Sequence, residues 1–305
     1  MFLGVLNNIS ALYAENNLTN TSNSLSAVLR QLSSGSRINS GADDAAGLSF
    51  VNGLEANAQA LAQSQTNVGE GVGLLRVADG ALSQVTNLLN RAVTLATEAS
   101  NGTLTSTQDR AADQEYQSIL SEITNIGATT TFNQRAVFGS DTRTYTGDSS
   151  SSGAFVDDLN IRALAASSVG DTNGVIAYNV TTAGGASPTT LSTLSYTDNA
   201  GQDLSATNLR NPGNAETALT ALNAAISCVS AQDGYIGAQI NTLNAVDAVL
   251  GTQLENVTAA QNAIEATDYA SATSNMAKYE ILMQTGISAL AQANSMQQEI
   301  TKLLE

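Results

Sequence analysis

A seam of apolar and small residues, spaced alternately three and four positions apart, constrains the fold of this chain more than any other feature. The seam runs from Val51 to Ala96, with one polar member, Gln65, and one irregular step after Leu75. Such spacing is typical of a long helix that packs against other helices along one stripe. We therefore predict one helix over residues 45–100, roughly 80 Å long at about 1.5 Å per residue. A helix of that length predicts a rod rather than a globule.

Weaker helical stripes occur in the rest of the chain. A second helix is predicted over residues 106–126, ended by Gly127, and a third begins near Ala215. The stripes of residues 1–36 and 276–303 are diluted by Asn, Ser, Thr and Gln, and short isolated helices of this kind are marginal in water. We expect the two ends to need packing partners. The residues predicted to form this terminal seam are Leu18, Leu25, Val28, Leu32, Met276, Tyr279, Met283, Leu290 and Leu303.

The amino-acid composition changes between residues 140 and 213, which are rich in Gly, Ser, Thr, Asp and Asn. Short β-type runs occur at AFVDDLNIRA, GVIAYNVT and TLSYTD. The fold class predicted is mainly α: a long antiparallel helical rod and a terminal coiled coil, with a small β-rich hairpin and outer insertion. We predict three domains, which are a terminal coiled coil of residues 1–42 with 268–305, a rod with a β-hairpin of residues 43–170 with 211–267, and a variable surface-exposed β-rich insertion of residues 171–210.

Composition excludes most catalytic chemistry. The chain has no His and one Cys, Cys228, so it has no Ser-His dyad, no HExxH zinc site and no intrachain disulfide. Its 27 acidic and 11 basic residues give a net charge of −16, which repels nucleic acid and anionic lipid. We expect no enzyme activity, no cofactor, no bound metal, and neither nucleic acid nor membrane as a partner. The apolar start has no basic residue before Arg30, so we interpret it as mature structure rather than a signal peptide.

The densest motif is QLSSGSRINSGADDAAG, residues 31–47. Gly35 can end the first helix in a left-handed conformation, and Asp43 and Asp44 are predicted to enter the first turn of the next helix. Arg37 can pair with either carboxylate and lock the turn. Because adjacent helical side chains point about 100° apart, the two aspartates are interpreted as structural rather than as a metal or catalytic pair.

Two further features have a structural and a chemical interpretation. Gly69, Gly71 and Gly73 form a GxGxG string, but a dinucleotide loop follows a strand, whereas this string lies inside the long helical seam. We predict close helix packing or a local bend that offsets the helix propensity lost at the three glycines, roughly 3 kcal/mol. Cys228 lies beside Ile226 and Val229, which favours a buried small hydrophobe over a reactive thiol.

The motifs at both ends resemble those of one family, the bacterial flagellins. QLSSGSRINSGADDAAG resembles the N-terminal signature of that family, FNQRAVF at residues 132–138 resembles its short hairpin, and residues 264–305 resemble its C-terminal block. The chain departs from the family pattern at Gln261 and Ala263, where arginines are usual, and at Ala266, where an acid is usual. The central residues carry no family signature, as expected of a variable outer part.

The resemblance implies a structural subunit that self-assembles into a helical flagellar filament for swimming motility, with the residues of the terminal seam as the filament-core interface. It implies export of the unfolded chain by the flagellar export apparatus without a cleaved signal peptide, folding at the filament tip, and an extracellular location. The implied partners are further copies of the chain, an export chaperone, the filament cap and hook-associated proteins. A hook–filament junction protein is the alternative. The resemblance also assigns Arg91, Leu95 and Glu115 to a patch recognised by a vertebrate innate flagellin receptor; otherwise these are ordinary rod residues.

Overall fold

Helices dominate the computed structural model. It describes residues 8–147, 156–171, 174–177, 193–196 and 201–304. The helices in this part of the chain are α1 (Ile9–Ser34), α2 (Ala45–Ser100), α3 (Ser106–Thr129), α4 (Pro212–Glu265) and α5 (Tyr269–Leu304). The predicted long helix over residues 45–100 is confirmed, and the described parts of the two terminal segments are helical.

Short strands form antiparallel hairpins between α3 and α4. The strands are β1 (Thr131–Phe132), β2 (Arg135–Ala136), β3 (Ser140–Tyr145), β4 (Val156–Ile161), β5 (Gly174–Ala177) and β6 (Thr193–Tyr196). They pair as β1 with β2, β3 with β4, and β5 with β6. The hairpin predicted at FNQRAVF is β1–β2, whose turn residues Asn133 and Gln134 both have positive φ. The predicted mainly α fold with a small β-rich insertion is therefore confirmed.

The chain divides into two compact units. The first comprises Met1–Ala56 with Asn256–Glu305, and the second comprises Asn57–Glu255. The finer division into three domains stays a prediction, and much of residues 171–210 lies outside the described residues.

The core of the second unit is the seam predicted from the sequence. Side chains of α2 meet those of α3 and α4, and most of the seam is fully buried because each turn of α2 presents one apolar residue to its neighbours. The largest fully buried side chains of these helices are Val68, Leu75, Leu82, Leu89, Tyr116, Ile123, Leu222, Ile236 and Leu243.

Two glycines of the GxGxG string allow the hairpins to pack closely against α2. A Cβ on Gly71 would lie 3.1 Å from the Thr144 hydroxyl and 3.3 Å from a methyl of Leu159. A Cβ on Gly73 would lie 3.4 Å from the Phe132 ring. A Cβ on Gly71 would also lie 3.4 Å from Leu243 of α4, so close packing at these two glycines involves strands as well as the predicted helix. A Cβ on Gly69 would meet nothing within 4 Å.

Gly127 does not end α3, so the predicted stop is wrong. The helix continues to Thr129, and Thr130 ends it by donating its N–H to the Ile126 carbonyl over 3.0 Å. A Cβ at Gly127 would collide with the Leu164 carbonyl oxygen. The glycine is therefore needed for the close approach of the segment after β4.

The segment that leads into α4 is held against α3. Asp113 of α3 accepts hydrogen bonds from the Leu209 N–H over 2.9 Å and from Arg210 Nε over 3.0 Å. Leu204 and Leu209 are fully buried. Gln202 pairs with Val169 in an antiparallel bridge. Segments near the start and the end of the insertion are therefore hydrogen-bonded to each other.

Few of the described residues could form a reactive or metal-binding site. Cys228 is buried, as predicted, and burial raises the pKa of its thiol. No group of three or more Cys, Asp and Glu side chains in the described ranges is arranged to hold a metal ion. In the same ranges, no helix carries an apolar window long enough to cross a bilayer.

Candidate self-assembly interface

The terminal helices α1 and α5 pair antiparallel within the first unit. At one end, Asn8 caps α1 by accepting the Ala11 N–H, and its Nδ2 donates to the Ala293 carbonyl of α5 over 3.0 Å. At the other end, the Thr267 N–H donates to the Gly35 carbonyl over 3.0 Å. These bonds fix the register between the two ends of the chain.

A narrow seam joins the two helices. Leu25 and Val28 of α1 are buried, at 9% and 8% exposed, and Ala272 of α5 is buried as well. The other predicted seam residues are only half-buried, namely Leu18, Leu32, Met276, Tyr279, Met283 and Leu290. The side chain of Leu303 lies outside the described part. The pair therefore brings the predicted residues of both helices together, while their role in a filament stays a prediction.

Large apolar side chains remain on the outer faces of this pair. These side chains, which we call the exposed stripe, are 43% to 68% exposed. They are Ile9, Leu12, Tyr13, Leu29, Tyr269, Ile281, Leu282, Ile287 and Met296. Large apolar side chains left exposed in this number on one pair of helices indicate an interaction site. Sequence reasoning missed these residues because it followed one seam per helix.

A signal for the exposed stripe was present in the sequence. Val28 precedes Leu29, and Ile281 precedes Leu282. Since consecutive residues of a helix lie about 100° apart, both members of an apolar pair cannot serve one narrow seam. Such pairs indicate a second apolar face, which the two-helix pair leaves uncovered.

A groove between α1 and α5 lies along the same pair of helices. It has a volume of about 530 Å³, and its lining includes Leu18, Tyr279, Leu282 and Gly286. A Cβ on Gly286 would lie 3.3 Å from Leu18 Cδ1. The absence of a side chain at Gly286 lets the helices approach there, and the groove adds recessed apolar surface to the exposed stripe.

The predicted helix stop at Gly35 is confirmed. Gly35 is left-handed, with φ 72°, and its N–H donates to the Gln31 carbonyl over 3.0 Å. A Cβ at this position would lie 3.0 Å from the Tyr269 hydroxyl. Backbone conformation and the approach of α5 therefore both favour glycine.

Arg37 ties the turn to the end of α4 instead of pairing with an aspartate. Its Nη2 and Nε donate to the Ile264 carbonyl over 2.9 and 3.3 Å, and its N–H donates to the Glu265 carbonyl over 2.6 Å. Carbonyls at the C-terminal end of a helix attract cations because intrahelical donors no longer satisfy them. The expected pairing with Asp43 or Asp44 is corrected on this geometry.

The two aspartates have different structural roles. Asp44 precedes α2 and accepts the Gly47 N–H over 2.8 Å, which is the bond of an N-cap. Asp43 lies outside the helix, where its carboxylate accepts from the Ser40 hydroxyl and the Asn39 N–H over 3.0 and 3.1 Å. The Ser40 bond, followed by the Asn39 bond, lowers the pKa of Asp43. The expectation that both carboxylates enter the first helical turn is therefore corrected.

The predicted receptor patch is only partly a surface. Arg91 Nε donates to Glu115 Oε1 over 2.8 Å, and the two side chains are 54% and 46% exposed. The Glu115 hydrogen bond raises the pKa of Arg91. Leu95 is 4% exposed, so its side chain is buried rather than presented to a receptor. The structure thus brings the two charges together, and recognition by a receptor stays a prediction.

A pair of carboxyl groups connects α2 and α4 in the second unit. Burial, followed by the hydrogen bond and the charge of Asp79, raises the pKa of Asp233 to about 6. Two carboxylates in contact repel each other, so the pair favours a shared proton. This arrangement makes the stability of the helix pair depend on pH.

Both helical parts of the chain match known sequence families. Residues 5–142 match the bacterial flagellin N-terminal helical region, and residues 219–304 match the bacterial flagellin C-terminal helical region. The first match includes the Gly35 turn, and the second includes all of α5 up to Leu304.

Curated relatives match along nearly the whole chain. A flagellin of Halalkalibacterium halodurans is 30% identical over 298 residues, covering 97% of this chain and 98% of the relative. A flagellin of Listeria monocytogenes is 29% identical over 297 residues, with the same coverage. The crystal structure of Bacillus cereus flagellin matches with a TM-score of 0.44 and 26% identity, covering 64% of this chain and 94% of that chain. Because of the two family matches and the relative that is 30% identical, the chain belongs to the bacterial flagellin family, the family of flagellar filament subunits.

Proposed function

We propose that this subunit assembles by burying the exposed stripe of α1 and α5 against further copies of itself. The proposal rests on the large apolar side chains that the two-helix pair leaves exposed. Full burial of one such side chain is worth about 1.5–3 kcal/mol. Several of them together offset an association cost of roughly 4–15 kcal/mol in lost translational and rotational freedom.

The contact is heterologous, so repetition produces an open helical polymer. A patch that binds a different patch on the next copy leaves one free patch at each end, and growth continues by rotation and rise. Ile9, Leu12 and Tyr13 of the exposed stripe do not line the groove, so one helix pair offers two different patches, which supports such an arrangement.

Ordering of the termini accompanies assembly in this proposal. The seam between α1 and α5 buries few large side chains, Leu25 and Val28 among them, and α1 has neither an acidic first turn nor a basic last turn. Helices with so little packing are marginal alone. Polymerisation therefore couples folding of the ends to binding, with the remaining apolar surface supplying the free energy.

Export in an unfolded state precedes assembly. The single cysteine means that no intrachain disulfide has to be broken or formed before the chain is threaded through a channel. Before and during assembly the exposed stripe needs cover, which an export chaperone, the filament cap and the hook-associated proteins provide. The subunit then lies outside the cell in the filament.

The experiment compares two charge substitutions on α1. Leu29→Asp places an unpaired carboxylate in the exposed stripe, and Ser26→Asp adds the same charge at an exposed polar position of the same helix. Full-length wild-type protein and the Ser26 variant are expected to form filaments visible by electron microscopy, whereas the Leu29 variant stays monomeric with unchanged helix content. Filaments of the Leu29 variant at wild-type yield, or a wild-type protein that forms none, contradict the proposal.

A further inference from the structure

The same reactive dipeptide, Asn followed by Gly, occurs in two different backbone settings. Asn52–Gly53 lies inside α2, and Asn101–Gly102 lies in the turn after α2. All four residues are exposed, so access of water is matched between the sites. A third pair, Asn173–Gly174, begins outside the described residues and does not enter the comparison.

Local crowding is also similar at the two sites. A Cβ on Gly53 would meet nothing within 4 Å, and one on Gly102 would meet only Pro212 Cγ at 3.8 Å. The difference is conformational. The Gly53 N–H belongs to the hydrogen-bonded ladder of a helix, whereas Gly102 is left-handed, with φ 66°, beyond the last helical residue.

We propose that Asn101–Gly102 is a site of spontaneous deamidation in the folded protein, whereas Asn52–Gly53 is protected by its helix. In the turn, the Gly102 nitrogen lies outside the helical ladder, and glycine has no side chain to obstruct its approach to the Asn101 side chain. In the helix, the backbone dihedral angles hold the Gly53 nitrogen away from Cγ of Asn52, so a turn of α2 must first open.

The reaction needs only water and a weak base. The Gly102 nitrogen loses its proton and attacks Cγ of Asn101. A new N–Cγ bond forms, the Cγ–Nδ2 bond breaks, and ammonia leaves. Water then opens the cyclic imide at either carbonyl, giving aspartate or isoaspartate at position 101. No electron transfer is involved, and the product has one more negative charge than the amide.

The new carboxylate lies at an electrostatically unfavourable position. It follows the C-terminal end of α2, where the helix dipole is negative, and the Asn101 N–H donates to the carbonyl of Glu98, another acidic residue, over 3.4 Å. Asn101 also lines an open depression with Glu98, Thr97 and Thr103. The modification therefore adds charge to this depression, making the aged subunit more acidic at one defined surface.

Incubation of the intact, full-length protein at mildly alkaline pH tests the proposal. Peptide mapping by mass spectrometry follows the amide-to-acid mass change and the isoaspartate product at each Asn–Gly site. Native Asn101 is expected to react at least about tenfold faster than native Asn52, because α2 must open locally before Asn52 can react. In urea, where both segments are unfolded, the two rates are expected to converge.

An Asn101→Gln variant is the matched control. It keeps a neutral side-chain amide, but its longer side chain forms a six-membered ring only slowly, so the native charge-variant population is expected to lose the species assigned to position 101. Three outcomes overturn the proposal. They are equal native rates at Asn52 and Asn101, faster reaction at Asn52, or no native reaction at Asn101 when the urea sample reacts at both sites.

Discussion

Replacing Ile281 by alanine should weaken assembly without weakening the subunit. Ile281 is 63% exposed on α5, so the isolated protein gains little from its side chain. Alanine is also the best helix former, which keeps α5 intact. If neighbouring copies cover this side chain, the loss of its apolar surface appears only in the assembly equilibrium.

The magnitude follows from the exposed fraction. Full burial of an isoleucine side chain contributes about 1.5–3 kcal/mol, so the 63% that remains exposed is worth about 1–2 kcal/mol on assembly. That free energy corresponds to about a 5- to 30-fold rise in the critical concentration for polymerisation. The thermal midpoint of the monomer is expected to stay at the wild-type value.

Sedimentation of polymer from monomer gives the critical concentration. Gln284→Ala is the matched control, because Gln284 is exposed on the same helix but polar, and its critical concentration is expected to equal that of the wild type. An unchanged critical concentration for Ile281→Ala would refute the assignment of the exposed stripe. A large effect of Gln284→Ala would show that position on α5, rather than apolar burial, governs assembly.

Three other predictions concern the second unit. Asp113→Ala leaves the buried Leu209 N–H without its acceptor and should lower the free energy of unfolding by about 1–3 kcal/mol at pH 7, as measured by urea titration. Burial raises the pKa of Asp113, but the hydrogen bonds from Leu209 and Arg210 outweigh it and leave the pKa lowered, so this stabilisation is present above about pH 4 and is lost as the pH falls through the folded-state pKa. Asp233→Asn should raise the free energy of unfolding at neutral pH, because a folded-state pKa raised to about 6 means that the ionised pair destabilises the fold there. Because the Asp233 carboxyl is only partly buried, solvent screening limits the gain to less than about 1 kcal/mol at pH 7. Thermal melts should show the gain vanishing near pH 4; an equal gain at both pH values would contradict the shared proton. Arg91→Ala monomer should signal less than wild type in cells bearing the vertebrate flagellin receptor, with Arg76→Ala, another exposed arginine of α2, as the control; equal signalling by all three proteins would remove Arg91 from the patch.

Periodicity predicted the parts of the fold that depend on repeated local spacing. The seam of α2 was readable because every third or fourth residue meets the same neighbours, and Leu75, Leu82 and Leu89 are fully buried as that spacing predicts. The Gly35 stop was readable because a left-handed residue that ends a helix is usually glycine. Both signals lie within a few residues of the feature that they predict.

Contacts between distant segments were not readable in the same way. Gly127 looked like a helix stop because its real reason, the Leu164 carbonyl, belongs to the segment after β4. Arg37 had two aspartates close in sequence, but the Ile264 carbonyl from the other end of the chain is its acceptor. The exposed stripe was missed for a different reason, because only one apolar face was followed on each helix although the adjacent pairs Val28–Leu29 and Ile281–Leu282 indicate a second face.

Amide hydrogen exchange on monomer and on filaments of the full-length protein tests the central claim most directly. If the terminal helices order and bury the exposed stripe on assembly, the largest gain in protection must fall on α1 and α5, and the α2 amides of the second unit should change little. Rapid exchange of α1 and α5 in the monomer, followed by strong protection in the filament, is the result that the account predicts. Terminal helices that are already protected in the monomer, or a gain confined to Asn57–Glu255, would contradict it.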